Sequence, residues 1–151
     1  VEVILAEGVA IPVAAGSIDL AFSHQVLEHL HPDDAGEHAR NVRRCLTPGG
    51  VYLCVTTNRL TGPHDISKHF GDTGQGFHLR EYSLHDQYDL FVRAGFRDVR
   101  VAIALGGEVL ALAPAQYYAL LESISARAPL RLLRHRLLTK LLNPGAVVAY
   151  A

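Results

Sequence analysis

Ser17-Ile18-Asp19-Leu20-Ala21-Phe22-Ser23, Val26-Leu27-Glu28-His29-Leu30 and Leu46-Thr47-Pro48-Gly49-Gly50-Val51-Tyr52-Leu53-Cys54-Val55 are the segments that decide how this chain folds. The first and third hold compact apolar runs, Ile18–Phe22 and Val51–Val55, flanked by turn residues. Strands buried on both faces read this way. Between them Pro32 suits a first helical turn, and Asp33 and Asp34 complement the positive end of the helix dipole. Ala35, His38, Ala39, Val42, Cys45 and Leu46 recur at helical spacing, with Arg40, Arg43 and Arg44 towards the far end. Thr47-Pro48-Gly49-Gly50 stops the helix. Strand, helix, strand in so short a span is a βαβ unit, whose right-handed crossover makes the strands parallel.

Working outward, Val1–Leu5 reads as a further short strand broken by Glu7-Gly8, with a loop through Ile11-Pro12 and Ala15-Gly16-Ser17. On the other side, residues 58–82 hold four glycines and one proline among His64, His69 and His78. A loop of that length in a compact domain usually carries function. Ser83 then offers an N-cap with Asp86 three residues on, and Leu84, Tyr88, Phe91 and Ala94 form an inner helix face closed by Gly95. Val99, Val101 and Ile103 alternate with polar positions in a strand within 96–105. From Pro114 two helical stretches flank Pro129, and Asn143-Pro144-Gly145 turns into a last strand at 147–150.

Composition excludes several classes. The chain has 151 residues, 49% hydrophobic and 19% charged, with a formal net charge of -1. Those values fit a single globular domain and exclude disorder. They also give no electrostatic case for nucleic-acid binding. No apolar run is long enough to span a bilayer, and the start lacks a secretory signal. Cys45 and Cys54 sit in apolar segments and form no C-x-x-C pair, the pattern of buried free thiols in a reducing cytoplasm. There is no Met, even at position 1, so the chain is expected to begin inside a longer product.

The three opening segments resemble the class I S-adenosylmethionine-dependent methyltransferases, in their methyltransferase 11/25-like branch. In that family an Asp opens the fourth strand, a Leu-Glu-His helix start follows, and Leu-x-Pro-Gly-Gly precedes the fifth. Here these are Asp19, Leu27-Glu28-His29 and Leu46-Thr47-Pro48-Gly49-Gly50, with Thr47 where the family often has Lys. Gly95-Phe96 and a closing strand near Tyr150 match the antiparallel end of the family's sheet. The resemblance implies an α/β, Rossmann-like methyltransferase sheet, mostly parallel, with an antiparallel C-terminal strand. It implies S-adenosylmethionine as cofactor, with Glu7 and Gly8 near the adenine and Ser23, His24 and Gln25 near the methionine part. For Glu7 the plain alternative is a solvated turn acid.

The family's glycine-rich turn and ribose-binding acid have no counterpart here. Gly71-Asp72-Thr73-Gly74-Gln75-Gly76 has the wrong glycine order and no preceding strand. The expectation is therefore a partial methyltransferase domain over 1–151, lacking the first two strands and able to pair with a missing N-terminal half. Within it, 58–82 is the substrate-side loop and 114–142 a helical insertion or lid. The parent enzyme would methylate an oxygen or nitrogen of a small molecule or glycan precursor, the isolated chain being weak or inactive. The rival is a non-catalytic methyltransferase-like module or partner subunit.

Methyl transfer needs alignment and sometimes a base, a task that suits histidine. His24 is placed for it by resemblance, and His64-Asp65 pairs an imidazole with a neighbouring carboxylate. A solvated or hydrogen-bonded side chain is the simpler role for each. Glu28 and His29 are weak metal candidates. The ubiquinone-biosynthesis O-methyltransferases look similar, with a Glu-x-x-Glu-His that can hold a divalent cation, but Gln25 replaces the first Glu here. No metal is favoured, zinc least, because His64 and His69 lack a zinc motif. The segment 130–142, with Arg131, Arg134, Arg136 and Lys140, is either a peripheral membrane contact or a packing helix with a solvated basic face.

Overall fold

The βαβ unit forms as its sequence dictates. In the computed structural model, which describes residues 3–60, 62–74, 76–105, 108–114 and 146–151, strand β1 spans Ile18–His24, helix α1 Pro32–Cys45 and strand β2 Leu46–Val55. The β1–β2 ladder is parallel, pairing Leu20 with Val51 and His24 with Val55. Pro32 opens α1 behind an N-cap that spacing did not flag, the His31 ring accepting from Asp33 N at 3.3 Å. The face drawn from helical spacing, Ala35, His38, Ala39, Val42 and Cys45, is buried.

Helix α2, Leu84–Arg93, carries the expected cap in full: Ser83 Oγ accepts from Asp86 N, and the Asp86 carboxylate accepts from Ser83 N. Gly95, at φ +95°, reverses the chain into strand β3, Asp98–Leu105. Strands β4, Glu108–Pro114, and β5, Ala146–Tyr150, complete a sheet in the order β1-β2-β5-β3-β4. The closing strand β5 inserts antiparallel between β2 and β3, so β1, β2 and β3 all point one way. That is the α/β, Rossmann-like sheet with an antiparallel C-terminal strand.

The core lies on the Tyr52 face of the sheet, where Tyr52, Phe91 and Phe96 pack with centroids 5.5–6.1 Å apart, Phe91 edge-on to the other two. Leu27, Leu84, Val101 and Val147 pack around them. Both described helices cover this face.

Four expectations change. Val3–Leu5 form no strand, because no described strand lies beyond β1 to pair with them. Strand β1 is not buried on both faces: Leu20 and Phe22 are each 62% exposed, since no described helix covers that side. Strand β2 begins at Leu46, not Val51, taking the Pro48-Gly49-Gly50 bend into its range. Pro114 ends β4, a strand absent from the sequence reading, rather than starting a helix. The rest of the expected helical insertion, 115–142, lies outside the described residues. Cys45 and Cys54 are buried free thiols, and no described helix is long and apolar enough to cross a membrane.

Candidate functional site

Parallel strands joined by helices present their ligand edge at the carboxyl ends, where the loops diverge. Here that edge comprises His24 and Gln25 after β1 and Thr56 to Asn58 after β2. Gln25, at φ +56°, is the one described non-glycine residue in the left-handed region. Its N–H donates to Val55 O at 2.9 Å, which holds the sharp turn against β2. The His24 and Gln25 side chains are exposed and make no hydrogen bond among the described residues. They are free to meet a ligand.

A buried polar chain joins this edge to Glu7-Gly8. Ser23 Oγ lies 2.8 Å from the Tyr52 hydroxyl, which is 3.4 Å from His38 Nε2, and His38 Nδ1 reaches Gly8 O at 2.5 Å. Burial lowers the His38 pKa, against the opposing pull of the Gly8 carbonyl, so the ring is neutral at pH 7. A neutral ring that donates to Gly8 must accept at Nε2 from Tyr52. Burial raises the Tyr52 phenol well above its ordinary value and pushes the Cys54 thiol up to about 11, so neither ionises near neutrality. Asn41 and Arg44 of α1 donate to the carbonyls of Val9, Ile11 and Val13, laying residues 7–13 along the helix. The chain thus brings Gly8 and Ser23, the two ends of the expected cofactor set, onto one scaffold. Exposed polar side chains beside an anchored backbone turn are compatible with a polar cofactor such as S-adenosylmethionine, and Glu7 is exposed next to Gly8.

The loop 58–82 returns to the same edge. Glu28, fully buried in a short 3-10 turn at Leu27–His29, accepts from Thr56 Oγ1 at 2.7 Å through Oε2. Its carbonyl accepts from Leu79 N and Arg80 N, which ties the loop to the turn. Asp65 organises the loop interior, accepting backbone N–H groups of Ser67, Gly76, Phe77 and His78. Burial works to raise its pKa, but these four donors together outweigh it and hold the carboxyl well below the usual carboxylate range. Glu81 accepts from His64 N at 2.7 Å and from His78 Nδ1 at 2.8 Å. Gly62 and Gly74 both press against the Glu81 carboxylate, where a Cβ would collide. Gly62 and Gly74 therefore serve packing around Glu81 and Gly76 packing beside Asp65, whereas a Cβ on Gly71 would meet nothing. An open cleft of about 550 Å³ lies along the loop between Arg59, Leu60, Asp72, Leu79, Arg80 and Glu81.

The fold brings Ser23, His24, Gln25, Glu7 and Gly8 to one end of the sheet, with Glu28 and His29 just beyond. His64 and Asp65 sit in the loop, but the Asp65 carboxylate serves the backbone, and His64 Nε2 lies 3.1 Å from Asn58 O. Sequence reasoning missed His38 as a polar link, Thr56 as the partner of Glu28, and Glu81 as the loop's anchor. A periodic pattern marks His38 as core and says nothing of its partners. Glu81 had no motif to flag it.

A Rossmann-like sheet with polar side chains at the carboxyl ends of its parallel strands is an α/β architecture in which such an edge is the usual ligand side. Residues 1–54 match the family described as a methyltransferase domain. An S-adenosylmethionine-dependent methyltransferase of Mycobacterium tuberculosis is 32% identical over 99 residues, 66% of this chain and 34% of that protein. The chain thus spans about a third of the length of the curated relatives it matches. Among solved structures, S-adenosylmethionine-dependent methyltransferases from Thermotoga maritima and Mesorhizobium loti share the fold. Their TM-scores are 0.58 and 0.55, each at 17% identity, covering 99% and 97% of this chain and 64% and 67% of theirs. Over residues 1–54 the chain is thus similar to the methyltransferase-domain family, and it shares its fold with proteins whose cofactor is S-adenosylmethionine.

Proposed function

We infer that the protein carrying these 151 residues transfers a methyl group from S-adenosylmethionine to an oxygen or nitrogen of a small molecule or glycan precursor. The observation that carries this reading is the buried Ser23–Tyr52–His38–Gly8 chain, which fixes both expected cofactor loops to one sheet edge. S-adenosylmethionine, when bound, supplies a methyl group on a positively charged sulfur, so the protein's task is alignment and proton handling. Ser23 and the Gln25 turn position the edge. His24, exposed and without a hydrogen-bond partner among the described residues, is the residue placed to take a proton from the acceptor. The cleft beside Arg59 and Arg80 receives the acceptor, with the loop 58–82 as its wall.

Two further parts belong to this reading. The open edge of β1, with Leu20 and Phe22 beside it, is where the rest of a methyltransferase sheet packs. The compartment is the cytoplasm, consistent with two buried free thiols. Titration calorimetry with S-adenosylmethionine on the protein carrying these residues tests the assignment. Saturable binding that Ser23→Trp abolishes is the expected result. No binding at millimolar cofactor would sink the catalytic reading and leave a non-catalytic methyltransferase-like module.

A further inference from the structure

The loop 58–82 and the 3-10 turn at Leu27–His29 meet in a cluster that the methyl-transfer reading does not use. Glu28, His29 and His78 each offer a ligand atom, and these atoms lie within 4.8 Å of one another. Glu28 is fully buried, yet only Oε2 is hydrogen-bonded, to Thr56; Oε1 has no partner. A buried carboxylate oxygen left bare is rare enough to require an explanation, and an unseen cation is one.

The two imidazoles are arranged as metal ligands are. His78, buried beside Glu28, has Nδ1 2.8 Å from Glu81 Oε1. His29 has Nδ1 3.1 Å from the Phe77 carbonyl. A carbonyl only accepts, so His29 Nδ1 carries the proton, and a carboxylate acceptor imposes the same tautomer on a neutral His78. Both Nε2 atoms are then lone-pair donors, with no hydrogen bond among the described residues. A histidine that gives its other N–H to a carboxylate or carbonyl is the usual outer support of a metal site. The ring centroids are 5.1 Å apart, edge to face. Main-chain bonds from Leu79 N and Arg80 N to Glu28 O clamp the two segments together, so the cluster is a product of the fold and not of one flexible side chain.

We propose that Glu28, His29 and His78 form a binding site for a first-row divalent transition metal, zinc foremost. Two imidazoles and one carboxylate are a zinc-type donor set, and three protein ligands leave a position for water or an acceptor oxygen. Tetrahedral bonds of about 2.1 Å put ligand atoms roughly 3.4 Å apart. A bound ion would draw the three atoms together from their present separations of up to 4.8 Å. Gln25, whose presence weakens a hard-cation site, is not among the ligands, and the added nitrogen donor shifts preference from magnesium or calcium towards zinc.

The test is Zn²⁺ titration of the chelator-stripped protein against a chromophoric competitor at pH 7.5, with Co²⁺ absorption reporting geometry. One Zn²⁺ per chain is expected, with a four-coordinate Co²⁺ spectrum. His29→Ala, an exposed change that leaves Glu28 and His78 in place, is expected to weaken binding at least tenfold. His78→Ala is expected to weaken it further, with circular dichroism reporting whether the loop still folds. His69→Ala, outside the cluster, is expected to leave binding unchanged. Absence of saturable Zn²⁺ binding, or binding that survives His29→Ala at full strength, overturns the proposal. Neither outcome bears on S-adenosylmethionine binding, which is measured separately.

Discussion

Asp65 and Tyr52 show how single residues act here through partners distant in sequence. The folded Asp65 carboxyl titrates below its unfolded value, so the unfolded chain binds its proton first as pH falls. Its stabilisation is whole above about pH 4 and drains away as pH drops through the folded pKa. Asp65→Asn should therefore lower the urea midpoint most at neutral pH, with the gap to the unsubstituted protein narrowing in acid. A gap that stays constant from neutral to acidic pH would contradict this account. Tyr52→Phe removes the hydroxyl that joins Ser23 to His38 and leaves His38 Nε2 buried without a donor. A loss of about 1–3 kcal/mol in equilibrium unfolding is expected. S-adenosylmethionine affinity should fall as well, because His38, which holds Gly8 O, loses the hydroxyl that orients its ring.

The local signals of helix α2 were legible, and so its stability can be predicted from local chemistry. Ser83→Ala breaks the box that caps α2 and should cost about 1 kcal/mol in thermal or urea unfolding. Gly95→Ala puts a Cβ at φ +95°, where it also meets Arg43 Nε at 3.2 Å. Roughly 1–2 kcal/mol is expected from the backbone alone, since the arginine side chain can move aside. Phe91, on the buried face of α2, contacts both Tyr52 and Phe96. Phe91→Ala should cost about 3–5 kcal/mol, enough to unfold a marginal domain. Strand β4 had no such legible signal. Its ladder partner β3 confers its structure through the pairing of Ile103 with Leu110 and Leu105 with Glu108, and pairing is invisible to local pattern.

At the scale of the molecule the sheet is asymmetric. Its Tyr52 face is roofed by α1 and α2, while the β1 edge and its Leu20-Phe22 face are open among the described residues. An open apolar edge strand invites association with another strand. The 151-residue chain should therefore self-associate with rising concentration, and Leu20→Lys with Phe22→Lys should suppress this in light scattering. Equal association in the double variant would place the sticky surface elsewhere.

Sequence by itself determined the βαβ unit, the inner faces of both helices, the Ser83 cap of α2 and the family motifs at Asp19, Glu28-His29 and Pro48-Gly49-Gly50. Each is written in spacing of a few residues, where propensity, capping and backbone sterics act. It also marked the ends of the strands as the ligand edge, because parallel topology leaves no other place for diverging loops. Only the tertiary structure decided which polar groups meet. The link from Ser23 through Tyr52 and His38 to Gly8, the grip of Asp65 on 76–78, and the meeting of Glu28 and His29 with His78 join positions far apart along the chain. Such contacts depend on how loops close over a packed core, and no local period encodes that closure.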